Sequence, residues 1–137
     1  MVNACRRWGR QAATIGALCT TALITFAGIA SAHVTADPDT AQQGGFTKVS
    51  FRVPNEEDTA STTQLEINLP IEHPIAFVST RAIPGWSATV QKTKLAKPIK
   101  TEDGEVAEVV TKITWTGAKI APGSFEDFDV SLGPLPT

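Results

Sequence analysis

From residue 33 onward, apolar and polar side chains alternate in short runs broken by proline, glycine or acidic residues. The cleanest run is Thr62 to Leu69, with Thr63, Leu65, Ile67 and Leu69 on one side and Thr62, Gln64, Glu66 and Asn68 on the other. That period of two predicts a strand with one buried face. Phe46 to Val53 repeats the pattern, with Val49, Phe51 and Val53 in step and Phe46 out of step. Phe125 to Leu132 is the last strand of the pattern, its Phe128, Val130 and Leu132 sharing a face. Shorter runs predict strands over His33 to Asp37, Ile75 to Ser79 and Trp86 to Gln91, the last with Trp86, Ala88 and Val90 inward. Val106 to Trp115 predicts a long strand in which Val109, Lys112 and Thr114 interrupt simple alternation.

The breaks carry turn chemistry. Pro38 ends the first run, and Gln42 to Gly45 is a second turn. Pro84-Gly85 suits the middle of a type II turn, and Asp103-Gly104 marks a hairpin. Lys92 to Lys100, basic and proline-containing, reads as a connection, and Thr116 to Gly123 as a loop. No segment sustains a helical period. About seven short strands, with turns every eight to twelve residues, predict an all-β, immunoglobulin-like sandwich.

The first 32 residues follow a different rule. Arg6, Arg7 and Arg10 form a basic start, Ala12 to Ile29 is apolar, and Ala30-Ser31-Ala32 fits the small-x-small cleavage pattern. Residues 1–32 therefore read as an export signal, with the protein working outside the cytoplasm. Removing 32 of the 137 residues leaves 105, enough for one small domain. Cys5 and Cys19 leave with the signal, so the domain has neither a disulfide nor thiolate chemistry. Of 12 basic residues three are lost and of 14 acidic none, giving a formal charge of about −5. An acidic domain without a basic run excludes a nucleic-acid partner. Membrane attachment would need an uncut signal or an anchor beyond Thr137. The chain stops on Gly133-Pro134-Leu135-Pro136-Thr137 directly after a core strand, which reads as a domain that continues further.

Cleavage after Ala32 gives residue 33 a new group. His33 then carries a free α-amine as well as an imidazole, with ordinary pKa values near 8 and 6.5. Both can lose a proton to a metal at neutral pH, and held on one residue they close a small chelate ring. Cu(II) favours such nitrogen donors. On the residues alone, His33 is either this chelating terminus or simply the residue after the cut. Cleavage after Ala30 would instead start the chain at Ser31-Ala32-His33, a square-planar Cu(II) chelator using backbone amides.

Several motifs stand in a recognisable order: His33-Val34-Thr35, Val53-Pro54-Asn55-Glu56, Leu69-Pro70, Ile83-Pro84-Gly85-Trp86, Ile113-Thr114-Trp115 and Pro122-Gly123-Ser124-Phe125 before Phe128. In this order they resemble the YcnI-like (DUF1775) family of secreted or surface bacterial proteins, often encoded beside copper transport genes. The resemblance spans His33 to Pro136. It implies a cupredoxin-like β-sandwich that binds Cu(II) through a single histidine brace: the amine and side chain of His33, plus a carboxylate from another strand. It places that carboxylate at Asp127, with Glu126 beside it as the alternative. As strand neighbours, the two point to opposite faces. Family members also continue through further strands, with a tryptophan near the copper and often a C-terminal anchor. A copper transport or copper chaperone protein is the partner implied.

Other residues read more plainly. His73, in a Glu72-His73-Pro74 loop, is an exposed loop residue. Trp86 and Trp115 read as core. Glu56-Glu57-Asp58 lacks a glycine-shaped calcium loop and reads as solvent-facing. No nucleophile-elbow motif supports a hydrolase. Copper oxygenases of the brace type use a second histidine, for which His73 is poorly placed, so binding without turnover is the leading expectation. A non-metal interaction module is the alternative.

Overall fold

The computed structural model describes residues 33–137; the expected export signal lies outside the described residues. Seven strands follow in order: β1 (Thr35–Asp37), β2 (Thr47–Pro54), β3 (Thr62–Asn68), β4 (Phe77–Thr80), β5 (Ser87–Thr101), β6 (Gly104–Ile120) and β7 (Phe125–Gly133). No helix occurs among the described residues. The strands form two sheets, β1-β2-β7-β4 and β3-β6-β5, with every pairing antiparallel. The all-β sandwich expected from the alternation is the fold observed.

The inner faces meet over an aromatic centre. Phe128 is 0 % exposed, and the rings of Trp86 and Trp115 stand edge-on to it at 5.1 and 5.3 Å. Val53, Val130 and Leu132 from one sheet and Ile113 from the other close around them. Edge-to-face rings add to the area they bury, because the positive edge of one meets the negative face of the next. On β3 the expected inward residues Leu65 and Ile67 pair with Trp115 and Ile113. Thr63 departs from its predicted side because the register shifts between Thr62 and Gln64.

The expected turn at Pro84-Gly85 forms as read. Gly85 has φ +79°, and the Trp86 N–H donates to Ile83 O at 3.1 Å. This turn abuts the irregular part of β6, where a Cβ on Gly117 (φ +108°) would lie 2.9 Å from Gly85 O. Only glycine fits both that backbone and that gap.

Two sequence expectations are corrected. Lys92 to Lys100 is not a free connection; it belongs to β5, paired with β6. Its proline is tolerated because β5 is an edge strand and the register breaks between Lys94 and Ile99. Thr116 to Ile120 likewise continues β6 instead of forming a loop. Val90 pairs with Ile113 on the inward face, yet it remains 44 % exposed because β5 lies at the sheet edge.

The outer face of β1-β2-β7-β4 carries charge. Asp129, whose side chain is only 8 % exposed, lies 3.1 Å from Arg81 Nη1 and 3.5 Å from Lys48 Nζ. Its carboxyl is held below the ordinary 3.8, first by the Ser50 hydroxyl and then by Arg81 and Lys48, against the opposing effect of burial. A folded-state pKa lowered in this way stabilises the fold fully above 3.8, and the contribution is lost as pH falls through the lower value.

Two outcomes follow. Phe128→Ala should cost about 3–5 kcal/mol in denaturant unfolding, as large-to-small aromatic changes in cores do. Asp129→Asn should cost about 1–3 kcal/mol at neutral pH, because Arg81 and Lys48 lose a charged partner. It should also flatten the acid limb of a Tm-against-pH curve, while an unchanged limb would remove Asp129 as its source.

Candidate metal centre

His33 precedes β1, and the antiparallel register decides what it meets. Thr35 pairs with Arg52. Two residues back on β1 and two forward on β2 bring His33 alongside Pro54, where β2 ends and the loop beginning at Asn55 starts. The imidazole is 79 % exposed, and its Nδ1 lies 3.5 Å from Glu56 Oε2. Glu56, read from sequence as solvent-facing, is thus the carboxylate beside the histidine. The signal for it was the Val53-Pro54-Asn55-Glu56 motif, but proximity needed the β1–β2 register.

Asn55 fixes this corner. It is 3 % exposed, and its Nδ2 donates to Ala60 O at 2.8 Å and Ile120 O at 2.9 Å. Its Oδ1 accepts from the Glu57 N–H at 3.0 Å. Its own N–H donates to Ser124 O at 2.8 Å, and its carbonyl accepts from the Gly123 N–H at 3.0 Å. A buried amide with its polar groups satisfied rigidifies what it joins. Here it joins the loop after β2, the end of β6 and the turn into β7. The Val53-Pro54-Asn55-Glu56 and Pro122-Gly123-Ser124-Phe125 motifs therefore meet at one end of the sandwich.

Asp127 is committed elsewhere. Arg52 Nε and Nη2 donate to its two carboxylate oxygens, each at 2.9 Å. Arg52 also lies 4.3 Å from the centre of the Phe125 ring. This fork holds the Asp127 carboxyl below its ordinary range, chiefly through the Arg52 hydrogen bonds. Thr35, Arg52 and Asp127 form one row across three strands. Asp127 is thus two strand spacings, roughly 10 Å, from β1 with the guanidinium between. Glu126 pairs with Val53 on the opposite face, and its Oε1 accepts from the Asp127 N–H at 3.3 Å. The two acids do point to opposite faces, as expected, and the structure brings neither against His33. His73 is exposed and follows the far end of β3, whereas Thr62 at its near end pairs with Ile120 beside Asn55.

Among the described residues, no group of three or more His, Cys, Asp or Glu side chains could hold a metal. A site at His33 therefore rests on one imidazole, one carboxylate and main-chain nitrogen. The α-amine exposed by cleavage before His33 would supply that nitrogen, and a two-nitrogen, one-oxygen donor set fits Cu(II).

A search of curated proteins gave no match. Among solved structures, the chain is similar to a protein from Nocardia farcinica, described as an uncharacterized protein whose crystal structure reveals an immunoglobulin-like fold. The two are 37% identical, with a TM-score of 0.56, over 75% of this chain and 67% of that one. The family described as a domain of unknown function, DUF1775, matches residues 33–137. The resemblance read from the ordered motifs is thereby met across the whole described region, and the chain belongs to the DUF1775 family.

Proposed function

We propose that this protein binds Cu(II) outside the cytoplasm and carries or passes it without chemical turnover. His33 supplies an amine and an imidazole once the export signal is removed, and Glu56 supplies the oxygen. The observation that carries this reading is the 3.5 Å approach of His33 Nδ1 to Glu56 Oε2 at an end of the sandwich pinned by Asn55. Glu56 takes the role that the family resemblance gave to Asp127 or Glu126. Asp127 already has both oxygens occupied by Arg52, and recruiting it would leave a guanidinium without its partner.

The exposure of both side chains suits capture and release of an ion. An exchanging site must be reached by a donor and an acceptor, and a copper transport or copper chaperone protein is the partner class this requires.

Protein confirmed by mass to begin at His33 should take up one equivalent of Cu(II) in a titration followed by EPR, with mixed nitrogen and oxygen coordination. One residue added before His33 should abolish that site. Glu56→Gln should weaken it more than about tenfold, since even outer-shell partners of metal sites are worth 10–100-fold. Asp127→Asn should leave it unchanged. Affinity should also fall on acidification, because protons compete with the metal for the same nitrogens. No stoichiometric site on correctly processed protein would overturn the copper reading.

A further inference from the structure

We infer that Asn55 is a positioning residue for Glu56, and that through it occupancy at His33 and closure of the β6–β7 turn form one coupled equilibrium. The inference rests on the copper reading above and adds to it a means by which the site communicates with the fold.

The geometry begins with Glu56 itself. Its side chain is more than half exposed, and its ion-pair partner His33 is more exposed still. With its carboxylate largely in solvent, the placement of Glu56 depends on its backbone. That backbone is held on both sides: Asn55 is buried, and the Glu57 N–H donates to Asn55 Oδ1 at 3.0 Å. Glu56 is thus the exposed residue between two anchored ones. Glu57 has the same charge, but the residue pairing with His33 is Glu56.

Asn55 holds the far side as firmly. Its Nδ2 bond to Ile120 O fixes the end of β6, and its main-chain bonds to Gly123 and Ser124 fix the turn into β7. This turn has one further internal bond, from the Ser124 N–H to Ala121 O at 3.1 Å. If the loop carrying Glu56 moves, the turn loses three of the bonds that close it. An ion that draws His33 and Glu56 together therefore favours the arrangement in which Asn55 is seated. By linkage the seated turn favours the ion by the same factor. The second state required is a local opening of this corner, and the ion shifts only its population.

The coupling has a signature that a passive structural asparagine would lack. Hydrogen exchange, read by mass spectrometry on protein exported and processed to begin at His33, reports the Asn55 and Gly123 amides directly. Saturating Cu(II) should slow exchange across residues 120–124 by at least threefold, although none of these residues would touch the ion. In Glu56→Gln, Cu(II) bound through the amine and imidazole alone should leave that exchange unchanged. Asn55→Ala should weaken Cu(II) binding at least tenfold at temperatures well below its own Tm, while a variant kept at wild-type affinity would overturn the positioning role. Should Asn55→Ala fail to fold, the wild-type exchange result decides alone. Stoichiometric Cu(II) with no protection at 120–124 overturns the inference and leaves the copper reading standing. No Cu(II) uptake at all overturns both.

Discussion

Everything in this domain depends on the antiparallel pairing of β2 with β7. The register Phe51 to Phe128 and Arg52 to Asp127 assigns each strand two incompatible environments one residue apart. Phe128 enters a ring of tryptophans, while Asp127 and Asp129 meet arginine and lysine on the other side. A slip of one residue would exchange the faces, burying carboxylates against Trp86 and Trp115 and exposing Phe128. The cost of unpaired charge in an apolar core makes such a slip prohibitive. The charge pairs on the outer face and the aromatic packing inside thus enforce the same register from opposite sides.

The candidate metal centre inherits its geometry from that register. β1 is only three residues long and wholly exposed, so it contributes little burial of its own. It is placed by pairing with β2, and β2 is placed by β7. Where β2 ends, Asn55 converts the strand order into a fixed corner by bonding its own loop at Ala60 to the end of β6 at Ile120 and to the turn at Gly123 and Ser124. The arrangement places the exposed His33 and Glu56 side chains at a defined end of the sandwich.

Much of this was legible in the chain, for reasons that can be assigned to particular residues. Leu65, Ile67, Phe128, Val130 and Leu132 were readable because a half-buried strand must alternate. Pro84-Gly85 was readable because few backbones suit that pair. The extension of β5 through Lys92 to Lys100 was not, since lysines and a proline look like a linker until an edge strand with a broken register accommodates them. Asp129 was not readable as a buried ion because its neighbours Arg81 and Lys48 come from two other strand segments. Glu56 was hidden for a related reason. An acidic loop reads as solvated, and only the β1–β2 register reveals that its first acid faces His33. Asp127 looked available because sequence does not show a carboxylate already taken by a cross-strand arginine.

That occupied carboxylate has a consequence for which ions this surface can hold. Calcium takes six to eight oxygen ligands, and magnesium demands octahedral oxygen geometry. By consuming both oxygens of Asp127, Arg52 removes the acid that would enrich this end of the sheet in oxygen donors. Phe125, stacked on the guanidinium, helps to keep Arg52 in that role. The salt bridge thereby withholds Asp127 from any cation that approaches this face.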